Sequence, residues 1–205
     1  MNIHAEGRIL FQGDSVTDAG RDRNQPNHLG EGYVKMIAEK WGNTMTILNR
    51  GISGNTSADM AKRWQEDAIS LQPDVVTILI GINDTWRSFD AWQDTSVSAF
   101  KAIYEQVLKE TRDKTNAQII LMEPFVLPWP EDRKEWRSDL DPKIQVVREL
   151  AAAYQTGFIP LDGLLNQAGI QYGAATIAAD GVHPTATGHA LIADIWMDYF
   201  QRMCQ

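Results

Sequence analysis

The chain has 205 residues, 43% of them hydrophobic, and a formal net charge of −8 from 19 basic and 27 acidic side chains. That length predicts a single domain over residues 1–205, able to bury about 70% of its surface without disulfide or metal staples. The composition is too apolar for disorder, and an acidic balance with no basic run argues against nucleic acid or an anionic membrane as partner, because both are recognised through clustered Lys and Arg. Cys204 is the only cysteine, so no intrachain disulfide forms and a reducing, cytoplasmic setting is expected. The leading MNIHAEGRIL lacks the charged start and apolar stretch of a secretory signal. The longest near-apolar run, 75–80, falls far below the ~20 residues that cross a bilayer.

In chain order, aliphatic and β-branched runs predict strands at 8–12, 44–49, 74–80, 118–122 and 158–161. Helical periodicity covers 33–41, 58–71, 96–114, 144–154 and 186–203. Strands alternating with long helices predict right-handed βαβ units and a parallel α/β sheet covered on both faces, and the continuous apolar run VVTILI agrees. Irregular stretches follow the strands at 14–30, 52–57, 83–94 and 123–139. In a doubly wound fold these loops gather at the carboxyl edge of the sheet, where ligands bind. The last two are long for the class, and such loops are functional lids or disordered segments.

The chemistry-bearing residues lie in those loops. Gly13-Asp14-Ser15 follows the first strand. It reads as a strand-ending turn or as a nucleophilic serine presented at a strand-to-loop corner. In Asp180-Gly181-Val182-His183-Pro184, the proline keeps His183 out of the following helix; either Asp180 folds back onto Nδ1 and leaves Nε2 basic, or it only caps the turn beside an exposed histidine. The remaining histidines, His4, His28 and His189, lack such an arrangement and read as ordinary surface or helix residues. No metal-ligand spacing occurs, so a zinc hydrolase is disfavoured. Gly81-Ile82-Asn83-Asp84 ends the most apolar strand, and Gly51-Ile52-Ser53-Gly54-Asn55 follows the second. The amides of Ser15 and Gly54 with the Asn83 side chain form a candidate oxyanion hole. Gly54 would let the backbone approach a substrate closely, whereas Gly51 reads as a turn.

GDS at 13–15, Gly54, GIND at 81–84 and DGVHP at 180–184 together resemble the four signature blocks of the SGNH (GDSL-type) hydrolases, over nearly the whole chain. The resemblance implies a three-layer α/β/α, flavodoxin-like fold with a five-stranded parallel sheet. It also implies Ser15 as nucleophile, His183 as base, Asp180 as orienting acid, and Ser15, Gly54 and Asn83 as oxyanion hole. Val16 stands where the family motif has Leu, a small packing change. The longer strings GDSVTDAGR, RGISGNT and GINDTWRSFD are similar to intracellular acetylxylan (xylo-oligosaccharide) esterases. These remove acetyl groups from sugar hydroxyls, need no cofactor or metal, and can assemble into closed homo-oligomers.

Seven tryptophans stand in the sequence, and Trp86, Trp92, Trp129 and Trp136 lie in or beside the two long loops. A flat ring with one N–H donor suits a sugar face or an oligomer interface. Asp14, Trp86, Arg87, Trp92 and Trp129 are the candidate substrate contacts, although Arg87 could equally pair with Asp90. The expected activity is a serine esterase acting on a small acyl group of a carbohydrate. The alternatives are a lysophospholipase or thioesterase with the same catalytic parts, and a non-catalytic carbohydrate-binding relative.

Overall fold

The computed structural model describes residues 7–41, 45–90 and 95–204. Five parallel strands, β1 (Arg8–Gly13), β2 (Thr46–Asn49), β3 (Val75–Leu79), β4 (Gln118–Met122) and β5 (Gly157–Ile159), form one sheet in the order β2-β1-β3-β4-β5. The helices are α1 (Ser15–Asp18), α2 (Tyr33–Trp41), α3 (Ser57–Lys62), α4 (Trp64–Asp67), α5 (Ile82–Asp90), α6 (Val97–Lys114), α7 (Arg137–Ala153), α8 (Leu161–Tyr172), α9 (Ala174–Ile177) and α10 (Ala186–Cys204). This is the α/β fold expected from the alternating pattern.

Strand alternation sorts the core into two layers. Ile9 and Phe11 of β1 face Tyr33, Val34 and Ile37 of α2 and Ile192, Trp196 and Phe200 of α10, with α8 alongside. Leu10, one residue out of phase, faces Met60 of α3, Tyr104 of α6 and Val147 of α7. Both faces are therefore dry, and the strands are apolar without alternation. A polar pair inside the first layer is satisfied internally: Trp196 Nε1 donates to Thr77 Oγ1 at 3.0 Å. A third, smaller cluster of Ile82, Val126, Trp136, Leu140, Ile144 and Val182 joins the segment after β4 to α5 and α7.

Strand order reverses at β1. From β1 the chain moves outward to β2, then crosses back over β1 to β3 and onward. The loops leaving β1 and β3 therefore part in opposite directions and leave a crevice at their carboxyl ends, the ligand-binding position of doubly wound sheets. Ser15 follows β1 directly, and Asn83 follows β3.

Several predicted elements differ from those observed. The helix expected over 58–71 is broken into α3, α4 and a 3-10 turn at Ile69–Leu71, with non-helical backbone at Arg63 (φ −104°, ψ 6°) and Ala68. Its start is set by a capping box between Thr56 and Asp59. The stretch 83–94, read as irregular, is helical as far as Asp90 in α5. Helix α7 starts at Arg137, not 144, and carries Pro142 inside it, which leaves the Ser138 carbonyl without its amide donor four residues on. Pro160 ends β5, and Leu161, expected in the strand, opens α8, which was not predicted. Gly163 and Gly169 inside α8 lower the helix propensity that would have marked it. Thr44, at the start of the second predicted strand, lies outside the described residues.

The turn from β1 into α1 leaves no room for a side chain at Gly13, where a Cβ would lie 2.4 Å from both the Leu79 carbonyl oxygen and Thr17 Oγ1. Gly13→Ala is expected to lower unfolding free energy by roughly 1–3 kcal/mol, measured as a shift of the urea midpoint at unchanged slope.

Candidate active site

Asp14 is the N-cap of the single-turn helix α1: its carboxylate accepts a hydrogen bond from the Val16 amide at 3.0 Å. This capping sets Ser15 as the first residue of the turn, half-buried at the rim of the crevice, and the turn closes at Ala19 in the left-handed region (φ 44°). Ser15 Oγ lies 3.0 Å from His183 Nε2. His183 Nδ1 lies 2.7 Å from Asp180 Oδ2, while Asp180 Oδ1 accepts from the amides of His183 (2.7 Å) and Val182 (3.0 Å). Partial burial pushes the Asp180 carboxyl upward, but those N–H donors and the His183 ring outweigh it and hold the group below its ordinary value. Asp180 thus stays anionic beside the ring and fixes the proton on Nδ1, leaving Nε2 to accept from the serine.

The loop carrying His183 is pinned from outside. Gly181 has φ +83°, and a Cβ there would lie 2.1 Å from the Trp129 carbonyl oxygen. Arg133 Nε donates to the Asp180 carbonyl at 3.1 Å, and its guanidinium lies over the rings of Trp136 (4.2 Å) and Trp86 (5.3 Å). The Trp86 ring stands 6.3 Å from that of His183.

The oxyanion-hole candidates occupy the same crevice. Ser15, Gly54, Asn83, Trp86, Arg87 and His183 line one open cleft of about 570 Å³, together with Ala19, Gly20, Ser53, Pro184 and His189. Gly54 has φ +81° and nothing within 4 Å of where a Cβ would be, so glycine is required by the backbone conformation and not by crowding. Gly51 is the crowded one, with a Cβ position 2.4 Å from the Asp18 amide nitrogen. Asn83 Nδ2 donates to the Asn55 carbonyl at 3.0 Å, which orients the amide and leaves its second N–H.

The structure separates the predicted substrate contacts. Trp86 and Arg87 line the cleft. Asp14 does not: it is 1% exposed beneath Ser15, spent on capping α1. Burial, followed by the opposing Val16 hydrogen bond and the nearby Asp84 charge, raises its pKa to about 7. Trp129 is exposed outside the cleft-lining set, and Trp92 lies outside the described residues. Trp136 is buried behind Trp86, with ring centroids 5.0 Å apart.

Sequence reasoning missed other residues that shape the site. Asp18 is buried and accepts from the Arg21 and Ser53 amides at 2.8 Å each, tying α1 to the loop that carries Gly54. Asn49 donates to the Thr17 carbonyl (2.7 Å) and accepts from the Gly51 amide (2.8 Å). His189, read as an ordinary helix residue, lines the cleft beside His183. Its Nδ1 accepts from the Tyr33 amide at 3.3 Å and its ring stacks on Tyr33, so its remaining proton is on Nε2. Burial, then the neighbouring His183, lowers its pKa to about 4, which keeps the ring neutral. The spacing of His183 and His189 across Pro184 was the available signal, but only the fold shows that they share a cleft.

Among the described residues, no group of three or more His, Cys, Asp and Glu side chains is arranged to hold a metal ion, and no helix is long and apolar enough to cross a membrane.

Residues 11–191 match the GDSL-like lipase/acylhydrolase family. The acetylxylan esterase of Geobacillus stearothermophilus is 33% identical over 94% of this chain and 93% of its own length. A second acetylxylan esterase, from Xylanibacter ruminicola, is 25% identical over 92% of this chain and 42% of its own. Among solved structures, a candidate GDSL-like lipase from Parabacteroides merdae superposes with TM-score 0.90 at 35% identity, covering 97% of both chains. The Geobacillus acetylxylan esterase Axe2 superposes with TM-score 0.83 at 31% identity, covering 97% of this chain and 96% of its own. Structures of catalytic mutants of Axe2 have a serine, an aspartate or a histidine replaced by alanine.

The raised pKa of Asp14, about 7 in the fold against an ordinary 3.8, has a defined consequence for stability. Between those values the native state holds a proton that the unfolded chain has lost, so stability falls as pH rises through the window. Asp84, also raised by burial, to about 6, acts in the same direction. His189, lowered to about 4, acts in the opposite direction up to its ordinary 6.5, and Asp14→Asn keeps a capping side chain while removing one of the two carboxyl titrations. The drop in urea midpoint between pH 5 and pH 8 is therefore expected to be smaller in the variant than in the wild type.

Proposed function

The chain belongs to the GDSL-like lipase/acylhydrolase family, which with its acetylxylan esterase relatives makes it a carboxylic ester hydrolase, and from that premise we propose that it is a serine esterase removing acetyl groups from carbohydrate hydroxyls. Acetylated xylo-oligosaccharides are the proposed substrate, and residues 1–205 act as a single hydrolase domain. The observation that carries the reading is the continuous chain Ser15 Oγ, His183, Asp180, with contacts of 3.0 and 2.7 Å.

In the proposed reaction, Ser15 Oγ attacks the ester carbonyl while His183 Nε2 takes its proton, and Asp180 stabilises the imidazolium. The developing oxyanion accepts hydrogen bonds from the Ser15 and Gly54 amides and from Asn83 Nδ2. Each such donor contributes about 3–4 kcal/mol to the transition state. Collapse expels the sugar alcohol, which leaves with the proton from His183 and an acetyl-serine behind it. Water, deprotonated by the same histidine, then releases acetate and restores Ser15. No step calls for a cofactor.

The small acyl group is favoured by the sequence of residues 14–30, which holds no long apolar stretch to line a fatty-chain channel. Trp86, Arg87 and the neutral His189 stand at the same opening, where ring stacking and N–H donation suit a sugar. The lone Cys204 supports a cytoplasmic setting, and a homo-oligomer is proposed only on the resemblance of GDSVTDAGR, RGISGNT and GINDTWRSFD to the intracellular esterases.

Acetate release from acetylated xylo-oligosaccharides tests the reading. Ser15→Ala is expected to lower kcat by at least about 10⁴-fold, Asp180→Asn by roughly 10⁴-fold and Asn83→Ala by roughly 10²–10³-fold. Wild-type activity in Ser15→Ala would rule out the assigned nucleophile. A strong preference for octanoyl over acetyl nitrophenyl ester would favour the lysophospholipase or thioesterase alternative.

A further inference from the structure

Arg63 interrupts the helical run between α3 and α4, and its side chain turns back under the crevice. Nε donates to Asn55 Oδ1 at 2.8 Å. Nη1 lies within 2.8–2.9 Å of the Arg50 carbonyl, Gln12 Oε1 and Asp67 Oδ2, and Nη2 reaches the Gly13 carbonyl at 3.3 Å. Gln12 is fully buried and donates in turn to the Asp67 carbonyl, so the far end of the network is closed.

These acceptors belong to the segments that carry the three oxyanion donors. The Gly13 carbonyl is two residues before Ser15, and Asn55 adjoins Gly54. The Asn55 carbonyl receives Asn83 Nδ2 at 3.0 Å. One guanidinium thus spans the ends of β1 and β2 and, through Asn55, reaches the start of α5. Arg63 does not line the cleft.

We infer that Arg63 is the positioning residue of the oxyanion hole, setting the spacing of the Ser15 and Gly54 amides and the Asn83 side chain with its rigid fork. The inference rests on the esterase reading given above. A planar guanidinium presents donors in fixed directions to several acceptors at once, whereas a lysine ammonium is a single point on a flexible stem. A donor displaced by a fraction of an ångström loses its advantage for the transition state while ground-state binding is little affected.

The experiment compares Arg63→Lys, Arg63→Ala and Asn55→Ala with wild type on an acetyl ester, and measures inhibition by phenylboronic acid, which adds to the serine as a tetrahedral anion. Arg63→Lys and Arg63→Ala are expected to lower kcat on the order of 10²-fold, with KM within about threefold and boronate affinity reduced in parallel. Asn55→Ala removes one acceptor without touching the arginine, so it is expected to give a smaller fall of the same kind, and it stands in should the arginine variants not fold. Arg148→Ala, which breaks a different ion pair at Glu123, serves as a control for destabilisation alone and should leave kcat and boronate affinity unchanged. Wild-type kcat and boronate affinity in folded Arg63→Lys and Asn55→Ala, with Ser15→Ala inactive, would overturn the role of Arg63 alone. Activity in Ser15→Ala would overturn the esterase reading beneath it.

Discussion

A serine and a histidine 168 positions apart in sequence meet at 3.0 Å, and that contact depends on the sheet order. Because β1 lies inside the sheet, between β2 and β3, the turn that follows it opens into the crevice and not along an edge. The segment carrying His183 arrives from the other side, after β5 and two further helices, and must be held without the help of a strand. It is held by the Ala178 and Pro184 bridge, by the positive φ of Gly181, and by Arg133 on the Asp180 carbonyl. The nucleophile's place is thus fixed by the sheet, and that of the proposed base by side-chain and turn chemistry.

Electrostatics around the serine works in two opposed directions. Asp14, immediately before it, is buried with one amide donor and is driven toward the neutral form. Asp180, on the far side of the histidine, is only partly buried and receives two amides and a ring N–H, which stabilise its charge. The difference follows from the number of donors against the degree of burial. An anion at Asp180 lowers the cost of forming an imidazolium in the proposed mechanism, whereas a second full charge at Asp14 would oppose the negative charge developing on the substrate.

Much of this was legible in the sequence because it is local. Each strand is a short aliphatic run, and the residues brought together at the cleft, Ser15, Gly54, Asn83, Asp180 and His183, sit in short strings whose turn chemistry is visible without a fold. What stayed hidden is either masked by weak helix formers or purely tertiary. The glycines of α8 obscured a helix that packing against the first core layer stabilises. Arg63 falls in what reads as continuous helical periodicity, and nothing in that pattern signals that its fork leaves the helix for Gly13 and Arg50. Asp18 and His189 owe their places to partners more than thirty and more than a hundred and fifty residues away in the chain, respectively.

The aromatic residues around the cleft divide by what already occupies their faces. Trp136 is buried against Ile144, Val182 and Phe89 and has no surface to offer a ligand. Trp86 is packed on one side by Trp136 and covered by Arg133, yet it remains half-buried at the cleft and beside His183. A ring fixed by a cation and a second aromatic has little conformational freedom left to lose if a ligand packs against it, as the proposed sugar would. The same Arg133 that fixes the ring also holds the Asp180 carbonyl. In the proposed reaction, the ring that would meet the sugar and the turn that would aim the base are therefore both held by one side chain.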